Sequence, residues 1–391
     1  MSLKNKKNIY IDNRLRVAWI ASGFVGRNAS GTAQTARKIV EFLILNEHHR
    51  ILVVLILRNN EELELVLEDK ILSRASIVML PQVHGRFLKS SRQFYKYAFN
   101  KNSEKFDVLH FSVARLYPFY WKFPAKRFFC IFHAGGEITV PQEKFILSRK
   151  IYNTVVKLQW KKLDKIFADS EFGIREISDY YNIPRSRITL IHLGADHLWK
   201  IEPKEIQINR SKLNIAIIGR WQKYKNVHSI LKAYIDLDDV SKDRIHLFLI
   251  GKQTKNGGDL VKPLISQIDS SNLTTVDYLT DSELKYIYQN VQLVIHPSIN
   301  EGFGLPAFEA FGEGVPIAVH VGLPADYYLS GDSQVMVIDM TNQSQIRNLL
   351  LSIDKFRRKD FKQRRNFLIN NNMTWELICK QYVNCYIQGS K

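Results

Sequence analysis

Short runs of β-branched and aromatic residues alternate with helix-patterned stretches along this chain, and the alternation happens twice. The first series reads Leu15 to Ser22, Ile51 to Arg58, Ser76 to Leu80, Phe106 to Phe111 and Arg127 to His133. That rhythm builds βαβ units, and therefore a parallel sheet covered by helices. After Trp199 the segment Lys200 to Asn209 shows no periodicity, and a second series begins. It runs through Leu213 to Gly219, Ile245 to Ile250, Leu273 to Val276, Gln292 to Pro297, Val315 to Val319 and Gln334 to Ile338. The fold class is therefore α/β, with two Rossmann-like doubly wound domains at 1–199 and 200–372. A tail at 373–391 remains, in which Trp375, Ile378, Tyr382 and Cys385 recur at helical spacing and form an apolar face that needs a surface to pack on. A chain of 391 residues exceeds what one hydrophobic core serves, which agrees with two domains. At 45% apolar residues, disorder over most of the chain is excluded.

Charge is distributed unevenly. Residues 1–200 carry 33 Lys/Arg against 18 Asp/Glu, whereas residues 201–391 carry 23 against 20. A first half at +15 beside a second at +3 points to phosphate-bearing partners: nucleic acid, anionic lipid or a phosphorylated substrate. Cys130, Cys379 and Cys385 form neither a zinc set nor a disulfide framework, so a reducing compartment is expected. The longest aliphatic run, Ile51 to Leu57, is far below the ~20 residues of a spanning helix. Lys4, Lys6 and Lys7 could open a signal peptide, but Asp12, Asn13, Arg14 and Arg16 occupy the place of its apolar core. The expected location is cytoplasmic.

The densest chemistry follows the strand at Gln292 to Pro297. Ser298, Ile299, Asn300, Glu301, Gly302, Phe303, Gly304, Leu305 and Pro306 lead into a helical stretch from Ala307 to Gly312. Pro306 suits the first helical position, and Gly302 and Gly304 let backbone approach a ligand. N–H groups at the helix start favour an anion such as a diphosphate. Glu301 and Glu309 flank the turn with seven residues between them, and each carboxylate can accept two sugar hydroxyls. In the other half of the second series, Gly219 ends a strand and Arg220, Trp221, Gln222, Lys223, Tyr224 and Lys225 follow. Arg220 and Lys225 there could hold a diphosphate, with Lys223 as a substitute for Lys225.

The stretch SINEGFGLPAFEA closely resembles the donor-site signature of the retaining GT-B glycosyltransferases of the E-x7-E family (glycosyl transferases group 1, family-4-like). The resemblance implies a GT-B fold with two Rossmann-like domains facing across a cleft and the C-terminal helix packing back on the first. Residues 1–199 would be the acceptor side and 200–372 the domain for a nucleotide-diphosphate sugar. It implies that Glu309 binds the nucleotide ribose, Glu301 the sugar hydroxyls, and Arg220 with Lys225 the leaving diphosphate. Gly219, Gly302, Phe303, Gly304 and Leu305 would line the donor, with backbone N–H groups of Gly302 and Phe303 holding sugar and phosphate. Gly31, opening a helix with Ala36, Ile39, Val40 and Leu43 on its buried face, matches the family loop that closes over the diphosphate. Gly26 to Thr32 also mimics a phosphate-binding P-loop, but Thr32 stands where its lysine belongs. His133 matches the family histidine that faces the donor sugar, although Ala134 stands where an acidic neighbour is usual. The segments IFADSEFG, around Ser170, and ITLIHLGAD, around Gly194 to Asp196, resemble the end of the family's first domain. The catalytic set so implied is His133, Glu301, Arg220 and Lys225, acting without a side-chain nucleophile and without a cofactor.

Asp236, Leu237 and Asp238 spell the D-x-D of metal-dependent transferases, but they close a helical pattern rather than a strand. No metal is expected, because two cations and a helix start already face the diphosphate. Arg86 to Lys101 sets Lys89, Arg92 and Lys96 on one helical face beside Phe87, Phe94, Tyr95 and Phe99, and Tyr117 to Phe129 adds more aromatics and cations. Both an interfacial helix and an ordinary packed one look like this. The expected partners are thus a nucleotide-sugar donor, a sugar or lipid-linked acceptor such as a cell-surface polysaccharide precursor, and an anionic membrane surface on its inner face. A nucleotide-sugar epimerase or a phosphorylase would use the same architecture. A basic nucleic-acid-binding protein is disfavoured, since no nucleic-acid motif accompanies the charge.

Overall fold

The computed structural model describes residues 13–21, 24–25, 31–83, 89–134 and 146–388, without the side chains of 146–149 and 255–256. Thirteen strands follow one another along these residues. They are β1 (Leu15–Ile20), β2 (Ile51–Leu57), β3 (Ser76–Met79), β4 (Phe106–Phe111), β5 (Ala125–Phe132), β6 (Lys165–Ala168), β7 (Ile188–Leu190), β8 (Leu213–Ile218), β9 (Ile245–Ile250), β10 (Leu273–Val276), β11 (Leu293–His296), β12 (Ile317–His320) and β13 (Val335–Ile338). Helices separate most of them, and the strands form two sheets, in the orders β3-β2-β1-β4-β5-β6-β7 and β10-β9-β8-β11-β12-β13. The neighbouring pairs are parallel, with Val17 opposite Val53 on one side and Val108 on the other. A strand covered on both faces has no polar side to show water, so β2 reads ILVVLIL and β9 IHLFLI without alternation.

The chain divides into two compact units. One holds residues 1–131, 151–166 and 379–391; the other holds 132–150 and 167–378. The last residue of β5, the end of β6 and all of β7 therefore go with the second unit.

Eleven of the strands lie within two residues of their expected positions. The sequence pattern missed β6 and β7. KIFA and ITL are only four and three residues long, too short for a run to stand out from its flanks. In the helix Gly31–Asn46, Ala36, Ile39, Val40 and Leu43 are all buried, as their spacing requires. Among the described residues no helix is long and apolar enough to cross a membrane. All three cysteines are free, two of them buried.

The tail forms a helix over Trp375–Ile387. Its buried face is Ile378, Cys379, Tyr382, Val383 and Tyr386, while Trp375 and Cys385 are only partly covered. This corrects the expected face by part of a turn, because two i, i+4 rows (378, 382, 386 and 379, 383) together outweigh the single row through Cys385. The Tyr386 ring stacks on Phe129 of β5 at 5.7 Å, and its hydroxyl lies 2.6 Å from Nδ1 of His110 in β4. Arg127 donates to the Tyr386 carbonyl at 2.6 Å. Burial holds His110 well below the ordinary imidazole range, so the hydroxyl meets a neutral ring.

The helix Lys89–Ala98 buries Phe94 and Tyr97, with Phe94 stacked on Phe123 at 4.5 Å. Phe94 and Tyr97 are thus core residues rather than membrane-facing ones; Phe87 lies outside the described residues, and Phe99 is 69% exposed.

Tyr386→Ala should cost about 3–5 kcal/mol, as other truncations of fully buried aromatics do. Tyr386→Phe, which keeps the ring, should cost nearer 1 kcal/mol. Denaturant unfolding of both variants measures this, and equal losses would mean that the hydroxyl rather than the ring anchors the helix.

Candidate active site

β8 and β11 are neighbours in the second sheet although β9 and β10 intervene in sequence, and the sheet grows to opposite sides of them. Ligands of open α/β sheets bind beyond the carboxyl ends at such a reversal. The residues Gly219 to Lys225 leave the end of β8, and Glu301 to Leu305 leave the end of β11.

Gly219 extends β8 by donating from its N–H to the Ile250 carbonyl at 3.0 Å, and Arg220, exposed, comes next. The chain then makes a short 3-10 turn over Lys223–Lys225 that ends in Asn226, whose φ of 54° is left-handed. Asparagine tolerates that conformation better than most residues, and Asn226 is held there by its amide donating to the Met340 carbonyl at 2.7 Å. The two loops are tied by the Ile299 N–H donating to the Tyr224 carbonyl at 3.0 Å. Across that tie Lys225 Nζ donates to Glu301 Oε1. His296, at the end of β11, brings Nε2 to 3.2 Å from the same oxygen.

Lys225 and Glu301 have side chains only 18% and 14% exposed. Burial pushes the Glu301 carboxyl up, but Lys225 and His296 outweigh it and hold the group well below the usual carboxylate range. Burial likewise opposes the Lys225 charge, yet Glu301 and Tyr224 keep the ammonium above its ordinary value while Arg220 pulls the other way. Of the two lysines the sequence left open, Lys225 is the one paired with Glu301; Lys223 is exposed.

Gly304 takes φ 85° and caps the helix Leu305–Gly312, which has no side-chain cap at its start. Pro306 is its second residue rather than its first, since the helix begins two residues earlier than the pattern indicated. The start is thus left to backbone N–H groups, the arrangement that suits an anion. Gly302 is needed for another reason: a Cβ there would sit 2.6 Å from the Ala134 carbonyl oxygen. Ser170 Oγ donates to the Gly302 carbonyl at 2.5 Å. Phe303 is buried and stacks on Phe308 at 4.2 Å, which anchors the loop in the core of the second sheet.

Glu309 is buried inside this helix. Its carboxylate accepts from the Tyr288 hydroxyl at 3.1 Å and lies 3.7 Å from His197 Nε2. Burial raises the Glu309 carboxyl above its ordinary value, against the pull of His197 and Tyr288. His133 follows β5 and is buried, and its acidic partner comes from a place the sequence did not indicate: Asp169, after β6, sets Oδ2 2.8 Å from His133 Nδ1. Asp169, Ser170, Tyr288, His197 and His296 are the neighbours that sequence reasoning missed. Of these, Asp169 and Ser170 lie within the segment IFADSEFG, which carried a signal without assigning either a role. Gly31 opens its helix in the other unit. Asp236 and Asp238 act as helix caps, the latter accepting from the Ser241 N–H.

Two doubly wound parallel sheets, the second in the order of a Rossmann sheet, define a protein of the GT-B fold. Sucrose-phosphate synthase from Thermosynechococcus elongatus superposes with a TM-score of 0.74 at 15% identity, over 96% of this chain and 99% of that one. WaaG, a glycosyltransferase involved in lipopolysaccharide biosynthesis, does so with 0.59 at 14% identity, over 95% of each. Such identities speak for the fold alone. Residues 200–370 match the family described as Glycosyl transferases group 1. O-antigen chain mannosyltransferase B of Escherichia coli is 25% identical over 231 residues, which is 56% of this chain and 60% of that protein. O-antigen chain mannosyltransferase RfbU of Salmonella typhimurium is 24% identical over 172 residues, 44% and 46% respectively. The chain spans less than two thirds of the length of these relatives.

A carboxyl raised on folding takes up protons on folding, so stability falls as pH rises from its ordinary 4.5 through the raised value. Glu309→Gln should remove that slope. Its melting temperature should match the parent's below pH 4 and exceed it near neutrality, by about 2–4 °C for each kcal/mol recovered. Parallel pH curves for the two proteins would exonerate Glu309.

Proposed function

We propose that this protein is a retaining glycosyltransferase that moves a hexose from a nucleotide-diphosphate sugar to a lipid-linked precursor of a cell-surface polysaccharide. The observation that carries the reading is the Lys225–Glu301 pair at the sheet reversal, beside an uncapped helix start. A diphosphate sugar needs both halves of it: cations and N–H dipoles for the phosphates, and a carboxylate for hydroxyls next to them. The O-antigen mannosyltransferases among the relatives favour mannose and such an acceptor. Anabaena HepE, a neighbour of the same fold solved in complex with UDP and glucose, supports a nucleotide-sugar donor.

In this reading Glu309 accepts the ribose hydroxyls, whose donated protons favour its charged form. Glu301 grips the sugar, while Arg220, Lys225 and the start of Leu305–Gly312 take up the negative charge that grows on the leaving diphosphate. The acceptor oxygen attacks the anomeric carbon on the face from which the phosphate departs, and a phosphate oxygen takes the acceptor's proton. One C–O bond breaks and one forms on the same face, so configuration is kept. No metal enters, since fixed cations already balance the phosphates.

Thermal shift against a panel of nucleotide sugars identifies the donor, because a ligand at 100 times its dissociation constant adds about 2.7 kcal/mol. Transfer is then followed with excess EDTA present. Arg220→Ala should slow transfer about 100- to 1,000-fold with an unchanged melting temperature, since Arg220 is exposed. Glu301→Ala should abolish transfer and also destabilise the protein, because it strips the carboxylate from Lys225. Rescue of EDTA-inhibited transfer by magnesium or manganese, inversion at the anomeric carbon, or sugar-phosphate release without an acceptor would each overturn the reading.

We further propose that the acceptor is met at an anionic membrane on the cytoplasmic side. Residues 108–136 and 144–163 contain no Asp or Glu. On the first unit Phe119 is 56% and Leu158 74% exposed, and Phe119 has a left-handed φ of 53°, a conformation that costs an ordinary residue about 1–2 kcal/mol. The Phe119 N–H donates to Gln159 Oε1 at 3.0 Å, and its ring packs against Trp121, over which Lys162 lies at 5.8 Å. Cations and apolar side chains in one patch suit an anionic leaflet, at about 1 kcal/mol per cation. Vesicle co-sedimentation should need anionic lipid, fall with salt, and weaken more for Lys161→Glu with Lys162→Glu than for the triple change of Lys89, Arg92 and Lys96 to Glu. Equal pelleting with neutral vesicles would leave the charge a role in steering anionic substrates only.

A further inference from the structure

Asp169 and Ser170 follow β6 as adjacent buried side chains, 3% and 0% exposed. Ser170 reaches the Gly302 carbonyl, and Asp169 reaches the His133 ring. A carboxylate accepts hydrogen bonds and cannot donate them, so the proton between Oδ2 and Nδ1 belongs to the ring. In a neutral imidazole that leaves Nε2 as the lone-pair acceptor, because the bond made at one nitrogen decides the state of the other.

We propose that Asp169 is a positioning residue that holds His133 in its Nδ1–H tautomer and fixes the orientation of its ring. The backbone of Asp169 is fixed on both sides. Its carbonyl accepts from His192 Nδ1 at 2.9 Å, and Ser170 caps the helix Glu171–Tyr181 by accepting from the Gly173 N–H at 2.9 Å. His192 is itself wedged edge-on against Tyr328 at 5.0 Å. The backbone that carries the carboxylate is thereby fixed beside the ring, where Oδ2 meets His133 Nδ1. The effect on sugar transfer rests on the function proposed above; the tautomer does not.

The test uses the full chain with 15N-labelled histidine, the His133 signals being assigned by their loss in His133→Gln. The expected spectrum has His133 as Nδ1–H with an unprotonated Nε2. Asp169→Asn offers both a donor and an acceptor, so the Nε2–H tautomer should gain population, and kcat should fall about 10- to 100-fold, the range for losing a group that orients a working side chain. The double variant Asp169→Asn, His133→Gln should be no slower than His133→Gln alone, because a residue acting through another adds nothing once that one is gone. If Asp169→Asn does not fold, Asp169→Ala carries the same two readouts. An unchanged tautomer, a doubly protonated ring at neutral pH, or losses that add would each overturn the proposal. Absence of transfer by the parent protein from every nucleotide sugar would instead count against the proposed function, and the tautomer measurement would still decide the role of Asp169.

Discussion

Two charges mostly withdrawn from water, Lys225 and Glu301, hold the end of β8 to the end of β11. Either one alone in that place would cost several kcal/mol, so each exists there because of the other. The rest of the site follows from keeping them together. The left-handed turn at Asn226 and the hydrogen bond from Ile299 to Tyr224 fix the approach of the two loops. The left-handed Gly304 then turns the chain into a helix at once, which leaves the start of that helix beside the ion pair. Phe303, buried between carboxylate and helix, keeps the turn from flexing away from the core.

The same region carries costs that a purely structural core would avoid. Glu309 is a carboxylate buried where burial disfavours its charge. Several buried polar atoms of the same unit have no protein partner among the described residues, among them His197 Nδ1, His296 Nδ1, Ser298 Oγ and Asp169 Oδ1. Native proteins pair nearly all such atoms, and an unpaired one costs about 1–3 kcal/mol. Asp169 lies at the end of β6, and His296 and Ser298 lie at the end of β11, where the groups of a polyhydroxylated, charged ligand of the kind proposed above would complete the bonds.

How far the sequence could be read depended on whether a feature was local. Parallel strands announce themselves through unbroken apolar runs, so β2, β8 and β9 were legible to the residue or nearly so, and the reversal between β8 and β11 followed from the fold they imply. The glycines, Pro306 and the two glutamates lie within one stretch and could be recognised together. Contacts made across the fold left no local trace. Lys225 as the partner of Glu301, Tyr288 and His197 around Glu309, and Tyr386 on His110 each join residues far apart in sequence. The tail helix shows the limit within one element: spacing alone allowed a face through Cys385, and only the strands beneath it select the face through Cys379 and Tyr386.

Ala134 shows why a departure from a family pattern has to be judged in three dimensions. An acidic residue is the usual neighbour of this histidine, and alanine looks like a loss. Yet the backbone of Ala134 is where Gly302 packs, with room for no Cβ on the glycine side, and its methyl faces Gly173, where an added Cβ would come within 3.2 Å. A carboxylate side chain at 134 would have to displace the start of the helix Glu171–Tyr181. That helix follows directly on Ser170, the residue that bonds the Gly302 carbonyl. The carboxylate reaches His133 instead from Asp169, one residue before that cap, so the small side chain at 134 and the acid at 169 are two parts of one solution: tight packing against the Gly302 loop and an acidic partner for the ring, supplied from 36 residues further along the chain.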